Sequence, residues 1–304
     1  IDMSVTQNRT KPETALLLIN ANSRRGQNPA CDQLEHQLGQ HLKIIRVDSQ
    51  SIEETETAFK QHHDAVDRVI VAGGDGTVHS TLPLIRAYQL PLAIIPMGTA
   101  NDLARTIDVH GDYERAIQVA VAGHAQRVDL GSVNDELFIN VAHLGLGVRV
   151  TKRLDADSKL SWGVFSYLKA ILQSLVRLRG FSAEITVDGH QHIVRSVEIA
   201  IGNGRFFGGG NIVDQASELD DGTLNLFSVP PRPVWQQLLL APVLRSGRHR
   251  NDPRVLSANG ASIQIRTKRS MAVHADGESV THTPLDIRLL PGAIELCVPG
   301  ARNA

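Results

Sequence analysis

Two glycine-rich segments, residues 73–77 (GGDGT) and 98–102 (GTAND), carry the residue types that bind phosphate. Each follows an apolar run typical of a buried strand and precedes a helical pattern. Glycine lets backbone N–H groups approach an anion closely, and the following helix directs its unpaired N–H groups at the same place. The sequence therefore predicts an anion site instead of two ordinary turns. The residues concerned are Gly73, Gly74, Asp75, Gly76 and Thr77, then Gly98, Thr99 and Asn101.

Two carboxylate-rich segments lie in the second half of the chain, at residues 217–223 (SELDDGT) and 274–280 (HADGESV). From the residues alone, each is at least as typical of a solvated turn as of a site. Asp276 and Glu278 alternate along a predicted strand and could face the same side of it.

The hydrophobic pattern divides the chain in two. Apolar runs at 14–21, 42–48, 67–72 and 91–98 alternate with helical patterns, which predicts a parallel sheet covered on both faces. Ligands bind beyond the carboxyl ends of such strands, which is where both glycine-rich segments fall. After about residue 127 the pattern becomes strand-rich, with an Asp188-Gly189 hairpin signal and helices at 161–178 and 233–247.

We therefore expect an α/β fold with two domains. The first, at residues 13–127, is a doubly wound parallel-sheet domain. The second, at residues 128–304, is an antiparallel β-sandwich with helical insertions, and its last segment could pack back on the first domain.

Composition limits the function classes. The 304 residues carry a net charge of −1, so no global field indicates nucleic acid as a partner. Two cysteines far apart exclude a disulfide framework and CxxC motifs and favour a reducing, cytoplasmic location. No GK[ST] follows either glycine segment, so neither is a Walker A phosphate-binding loop. Neither segment matches GxGxxG, which makes a dinucleotide oxidoreductase a weak interpretation.

The order of these motifs resembles the catalytic domain of diacylglycerol kinases, in particular the soluble bacterial lipid kinases. Sphingosine and ceramide kinases are similar, and NAD kinases more distantly so. The resemblance extends over NANSRRG (20–26), NVAHLGLGVRV (140–150), GNGRFFGGGNIVDQASELDDGTLNL (202–226) and ADGE (275–278). It implies an N-terminal nucleotide-binding domain, a C-terminal β-sandwich that receives the lipid, and an active site between them.

The resemblance also implies roles for particular residues. Residues 73–77, with Gly98, Thr99 and Asn101, would contact ATP, and Asp75 would lie near the nucleotide or its magnesium. Asn20 and Asn22 would line the same pocket, and Ser49 would replace a threonine of the family. His79-Ser80 stand where the family usually has Asn-Glu.

The carboxylate segments gain roles from the same resemblance. Asp221 would bind Mg²⁺ through its side chain, together with backbone carbonyls near Glu218 and Thr223, a hard-oxygen set that suits this ion. Either Asp276 or Glu278 would be the base that accepts the proton of the lipid hydroxyl.

The expected activity is therefore transfer of the γ-phosphate of ATP to a lipid alcohol, with diacylglycerol as the default acceptor. Basic residues such as Lys152, Arg153 and Lys159 beside the apolar 159–181 segment suit peripheral attachment to an anionic membrane. A homodimer is possible. Two alternatives stay open: a kinase of NAD or another soluble molecule, and a catalytically silent nucleotide-binding regulator.

Overall fold

The structure is a computed structural model. It describes residues 13–20, 29–145, 180–215, 217–233, 236, 247, 252 and 254–300. Asn22, the predicted helix 161–178 and the basic residues at 152, 153 and 159 lie outside these ranges, as does the predicted helix 233–247 apart from residues 233, 236 and 247. Among the described residues, no helix is long and apolar enough to cross a bilayer.

The first part of the chain forms a parallel four-strand arrangement in the order β2-β1-β3-β4. Its central strands are buried almost throughout, because helices cover both faces. The strands are β1 (Thr14–Asn20), β2 (Lys43–Ser49), β3 (Arg68–Gly73) and β4 (Leu92–Pro96). The helices are α1 (Pro29–Gly39), α2 (Ile52–His62), α3 (Asp75–Tyr88), α4 (Asp102–Thr106) and α5 (Tyr113–Ala122), with a short 3₁₀ helix at His63–Ala65.

Local sequence explains where two of these helices begin. The Oγ of Ser51 accepts a hydrogen bond from the N–H of Glu54, and the carboxylate of Glu54 accepts one from the N–H of Gln50. The carboxylate of Asp112 accepts the N–H of Arg115 in the same way. The bonds to Ser51 and Asp112 satisfy N–H groups of the first helical turn, which have no partner within the helix.

The remaining strands build an antiparallel sandwich. They are β5 (His124–Val133), β6 (Glu136–Phe138), β7 (Val141–Gly145), β8 (Phe181–Val187), β9 (His190–Ser196), β10 (Glu198–Gly202), β11 (Phe206–Phe207), β12 (Asn211–Ile212), β13 (Leu224–Val229), β14 (Leu256–Gly260), β15 (Ser262–Thr267), β16 (Ala272–Ala275), β17 (Glu278–His282) and β18 (Leu285–Val298). One sheet has the order β14-β13-β10-β7-β16-β17, and β11 pairs with β12 alone.

The last strand, β18, joins the two architectures. Leu296 of β18 pairs in parallel with Leu92 of β4, while the start of the strand pairs antiparallel with β15. The resulting sheet runs β2-β1-β3-β4-β18-β15-β8-β9, and β5 pairs along β18. The register of the β5–β18 pair shifts between Leu290 and Ile294. The Pro-Gly pair of residues 291–292 lies at this bulge, where a strand tolerates a proline.

Two main cores follow from the burial patterns. One lies between the parallel strands and their helices. The other lies between the two sheets of the sandwich and includes Leu144, Ile185, Ile201 and Ile287. Asp188 and Gly189, both with positive φ, form the β8–β9 turn that the sequence predicts. The predicted α/β fold with a β-sandwich is thus confirmed for the described residues.

Candidate active site

The two glycine-rich segments meet at the carboxyl edge of the parallel sheet. A Cβ on Gly98 would lie 2.5 Å from the Cα of Gly74, which is closer than any real Cβ contact, so only glycine permits this approach. The N–H of Met97 also donates to the carbonyl of Gly73 at 2.9 Å. The two segments therefore form one continuous backbone surface.

The GGDGT segment is part loop and part helix. Gly74 is the N-cap of α3, and residues 75–77 form its first turn, whose N–H groups lack partners within the helix. The Nδ2 of Asn20, at the end of β1, donates to the Oγ1 of Thr77 at 3.1 Å. The end of one strand thus fixes the hydroxyl beside the N-terminus of α3.

The GTAND segment is fixed by its own asparagine. Asn101 has φ 50° and ψ 50°, a left-handed conformation that asparagine tolerates better than most residues. Its Oδ1 accepts the N–H of Gly98 at 3.0 Å, and its Nδ2 donates to the carbonyl of Gly98 at 2.9 Å. Thr99 lies exposed in the loop that these bonds close.

Asp75 and Asp102 link the segments to each other and to the sandwich. The Oδ1 of Asp75 accepts the N–H of Asp102 at 2.8 Å. The carboxylate of Asp102 in turn accepts the N–H groups of Gly209 and Gly210 at 3.0–3.1 Å. Burial, reinforced by the charge of Asp102, raises the pKa of Asp75 to about 6, and burial also raises the pKa of Asp102.

Sequence reasoning missed the contact made by Asp102. The sequence feature that points to this contact is the run of three glycines, Gly208 to Gly210. All three have positive φ in the structure, and this conformation directs backbone N–H groups at the carboxylate of Asp102. No local pattern in the sequence pairs that run with Asp102, which lies more than a hundred positions earlier.

The DGE segment approaches the same helix from the sandwich. Asp276 and Gly277 form the β16–β17 turn, and Glu278 begins β17. The Oε1 of the exposed Glu278 lies 2.9 Å from the position that a Cβ on Gly76 would occupy. The carboxylate of Asp276 lies near the next turn of α3, where its Oδ2 is 3.4 Å from the Nδ1 of His79.

The two carboxylates of this segment have different surroundings. The side chain of Asp276 is fully buried and accepts the N–H groups of Ile139, Asn140 and Val141 at 2.9–3.0 Å. These bonds hold the β6–β7 connection against the β16–β17 turn. Glu278 instead faces the first turn of α3 and remains accessible from solvent.

Residues 218–223 form a separate turn around Asp221. Its carboxylate accepts the N–H groups of Glu218 and Thr223, each at 3.0 Å. Asp129 lies close by and accepts the N–H groups of Gly222 and Gly292. Burial raises the pKa of Asp221, and the charges of Asp129 and Asp220 raise it further.

A cation at the Asp221 turn would find few side-chain ligands. Among the described residues, no group of three or more His, Cys, Asp and Glu side chains is arranged to hold a metal ion. A cation here would use one carboxylate together with backbone carbonyls and water, which are ligands that Mg²⁺ accepts. The crowded negative charge at Asp221 fits a cation, although its nearest contacts at residues 218 and 223 are N–H groups and not carbonyls.

Comparison with known proteins identifies the family. Residues 14–133 match the model of the diacylglycerol kinase catalytic domain, and residues 140–298 match that of the "YegS C-terminal NAD kinase beta sandwich-like domain". The chain belongs to the diacylglycerol kinase catalytic-domain family. The resemblance inferred from the motifs is thereby confirmed.

Relatives and solved structures agree with this assignment. A protein of Salmonella newport named "Probable lipid kinase YegS" is 32% identical over 241 residues, which are 77% of this chain and 79% of the relative. A Klebsiella pneumoniae protein named "Probable lipid kinase YegS-like" is 30% identical over 237 residues, 77% of this chain and 78% of the relative. A crystal structure of a diacylglycerol kinase from Bacillus anthracis superposes with a TM-score of 0.75 at 27% identity, covering 96% of this chain and 99% of that one.

Most of the residues expected at the kinase site lie at one place. The contacts above bring together Asn20, Gly73, Gly74, Asp75, Gly76, Thr77, Gly98, Asn101, Asp276 and Glu278. Ser49 lies beside Asn20 in the sheet, but its hydroxyl bonds locally to the carbonyl of Ser51 and the hydroxyl of Thr55, both at 2.7 Å. Asn22 is outside the described residues.

A cavity of about 500 Å³ lies elsewhere in this kinase-family chain. Its lining includes Arg115, Arg205, Glu218 and Asp220, but neither the glycine segments nor Glu278. The surface formed by the two glycine segments is instead an open edge of the sheet.

Proposed function

We propose that this protein is an ATP-dependent lipid kinase that transfers the γ-phosphate to a lipid hydroxyl, with diacylglycerol as the default acceptor. The observation that carries the proposal is the approach of Glu278 to Gly76. A carboxylate that suits a general base thereby stands at the N-terminus of a helix that suits phosphate binding. The names of the lipid-kinase relatives support the acceptor class.

The nucleotide would bind along the joined glycine segments. Backbone N–H groups of residues 75–77 and the hydroxyl of Thr77 would contact the phosphates, while Asn20 and Asn101 keep the surface in place. Magnesium, when it accompanies ATP, neutralises charge that develops on the phosphates. Phosphoryl transfer needs little covalent chemistry from the protein, so accurate positioning is the main demand on these residues.

Glu278 is the better candidate for the base. Asp276 is buried and its oxygens already accept three backbone N–H groups, so it has no access to a substrate hydroxyl. Glu278 is exposed and lies beside the predicted phosphate surface. In this proposal Glu278 orients the lipid hydroxyl and accepts its proton, and Asp276 holds the turn that presents Glu278.

The Asp221 turn would have a supporting role. We infer that a magnesium ion there would offset the negative charge of Asp129, Asp220 and Asp221. The turn joins the β13 segment to the bulge of β18 through Asp129, so the ion would stabilise the sandwich near the junction. Peripheral attachment to a membrane, expected from the sequence, belongs to the same proposal because the acceptor is a lipid.

One experiment tests the function directly. The purified protein is incubated with γ-labelled ATP, Mg²⁺ and a mixed lipid extract, in parallel with NAD and sugar phosphates, and the products are resolved by chromatography. We expect label in a lipid product and none in the soluble acceptors. Label in NAD or a sugar phosphate would contradict the lipid kinase and indicate a kinase of soluble molecules. ATP binding without phosphoryl transfer to any acceptor would indicate a catalytically silent regulator.

A further inference from the structure

The cavity of about 500 Å³ lies where the two halves of the chain meet, and the proposed mechanism does not use it. From the first half come Thr106, at the end of α4, and Arg115 of α5. From the sandwich come Arg205, between β10 and β11, and the turn at 217–220. Asp221, the expected magnesium ligand, does not line the cavity, whose volume is typical of a small-molecule site.

The less exposed charges of this cavity are positive. Arg115 and Arg205 are half-buried, whereas the carboxylates of the lining belong to the exposed residues Asp108, Glu218 and Asp220. Within the described ranges, neither guanidinium has an ion-pair partner, and the Nε of Arg205 is buried without a hydrogen-bond partner. Because a buried donor without an acceptor is costly, the lining favours an anion that would supply the acceptor.

Two guanidiniums in one cavity suit a phosphate group. A guanidinium binds phosphate through two parallel N–H donors, and a phosphate has enough oxygens to accept from two guanidiniums at once. The apolar side chains of Ile107, Leu219 and Val298 also line the cavity, and a bare inorganic ion would leave them without a contact. The lining therefore fits a phosphate monoester, whose carbon part would cover these side chains.

Two elements lead from the cavity to the glycine segments. Helix α4 extends from Asp102 to Thr106, whose Oγ1 donates to the carbonyl of Asp102 at 3.1 Å. The carbonyl of Arg205 accepts the N–H of Val213 at 2.9 Å, which closes the base of the β11–β12 hairpin. At the other end of this hairpin, the N–H of Gly209 donates to the carboxylate of Asp102. A ligand held by Arg205 would therefore favour the contact that keeps Asp102 in place.

We propose that this cavity is a second anion site, in which Arg115 and Arg205 bind the phosphate of a monoester. Because the two arginines come from different halves of the chain, the ligand stabilises the arrangement in which α4 and the β11–β12 hairpin meet. Occupancy of the cavity thereby raises the affinity of the glycine segments for ATP. This effect on ATP rests on the proposed function, whereas the binding of the phosphate does not.

Equilibrium dialysis measures the second site itself. The probe is labelled glycerol 3-phosphate, and Mg²⁺ with a non-hydrolysable ATP analogue is present to occupy the glycine segments. We expect Arg115→Gln and Arg205→Gln each to weaken binding at least about tenfold, the usual effect of losing a hydrogen bond to a charged group. Arg266→Gln, at an exposed arginine of β15, removes the same charge elsewhere and should equal wild type.

A further variant and a second probe complete this test. Arg205→Lys keeps the charge but has no paired donors, so it should bind more weakly than wild type while its urea unfolding is unchanged. Sedimentation with phosphatidate vesicles is measured in parallel, because a lipid headgroup carries the same phosphate. Arginine-dependent binding of these vesicles, with none of glycerol 3-phosphate, would assign the site to a lipid.

Two outcomes would overturn the second site. One is wild-type affinity for both probes in folded Arg115→Gln and Arg205→Gln protein, which would place the bound phosphate elsewhere. The other is a wild-type protein that binds neither probe.

Titration of ATP with and without the bound probe measures the coupling. We expect the probe to lower the Kd of ATP at least about fivefold in wild type, the lower end of typical coupling between sites, and not at all in Arg115→Gln. Equal ATP affinity with and without the probe in wild type would overturn the effect on ATP. A wild-type protein that binds no ATP would contradict the proposed function instead, and the dialysis would still decide whether the second site exists.

Discussion

At the scale of single residues, Asp75 shows a conflict between stability and function. Its carboxylate is largely buried next to Asp102 and Asp276, yet it lies at the centre of the GGDGT segment. Burial comes first among the causes that raise its pKa to about 6. A group kept in such a costly environment is typical of a functional site, where charge is arranged for chemistry and not for folding.

This environment predicts a pH-dependent effect of Asp75→Asn. Between about pH 4 and pH 6, folded Asp75 retains a proton that the unfolded chain has released, so wild-type stability falls as pH rises through this window. Asparagine keeps the oxygen that accepts the N–H of Asp102 but carries no charge. We expect the variant to be about 1–3 kcal/mol more stable than wild type at pH 7.5, similar to it at pH 4, and inactive.

Urea unfolding at the two pH values, together with a kinase assay, measures this prediction. Asp108→Asn is the control, because Asp108 is exposed and its substitution should give no pH-dependent difference. A variant that is less stable than wild type at pH 7.5 would show that the ionised carboxylate of Asp75 stabilises the fold.

Residue roles were only partly predictable from the sequence. The motif order identified Asp276 and Glu278 as a pair, but it could not separate them. What separates them is burial and three backbone N–H groups from residues 139–141, more than 130 positions away in the chain. The contact of Asp102 with Gly209 was hidden for the same reason, because side-chain partners across a fold leave no local pattern.

At the scale of elements, local patterns were the better guide. The central residues of β1 and β3 are apolar because both faces of the sheet are covered, and the Asp188-Gly189 turn has the positive φ angles that its residues favour. The start of α3 was less predictable. This helix begins at Asp75, inside the glycine-rich segment, where an acidic residue is favourable in the first turn.

Pro83 is a second feature of α3 that local rules do not favour. It lies inside the helix and cannot donate to the carbonyl of His79, four residues earlier. Packing outweighs this cost, because Val78, Leu82 and Ile85 of the same helix are all buried in the core. Tertiary burial thus fixes an element that propensity alone would interrupt.

The contact between the glycine segments gives a prediction at this scale. In Gly98→Ala, the new Cβ would meet the backbone of Gly74 at 2.5 Å and the Oδ1 of Asn101 at 2.7 Å, and backbone cannot rotate away as a side chain can. We expect ATP affinity to fall at least about tenfold and the free energy of unfolding to fall by about 1–3 kcal/mol, the usual cost of overpacking.

Calorimetric titration of ATP and urea unfolding measure the two losses. Gly39→Ala is a matched control, since a Cβ at Gly39 meets nothing within 4 Å. Wild-type ATP affinity in Gly98→Ala would argue that the two segments do not act as one phosphate surface.

At the scale of the whole molecule, the site is assembled from both halves of the chain. The β18 strand joins the parallel sheet to the sandwich, so α3 and the β16–β17 turn are fixed to one connected framework. Contacts at the candidate site also cross between the halves: Asp102 with Gly209 and Gly210, and α3 with Asp276 and Glu278. Hydrophobic periodicity predicted the two halves but carries no information about which loops meet.

This assembly predicts a division of labour between the halves. Glu278 comes from the sandwich and does not belong to the predicted nucleotide surface, so Glu278→Gln should keep ATP affinity near wild type. Loss of a general base should lower lipid phosphorylation by roughly 10²-fold or more, and kcat and kcat/KM should fall together. Asp276→Asn should instead disturb the structure, because both oxygens of Asp276 accept backbone N–H groups. The asparagine amide has one acceptor oxygen, and its NH₂ would face a backbone N–H group.

The two variants are therefore compared in three assays: ATP titration, lipid phosphorylation and urea unfolding. We expect Glu278→Gln to lose turnover at wild-type stability. We expect Asp276→Asn to lose about 1–3 kcal/mol of stability, the cost of a buried polar group left without its partner, and to lose turnover only through that loss of structure. Stable, fully folded Asp276→Asn protein with no turnover, beside an active Glu278→Gln variant, would reverse the assignment and make Asp276 the base.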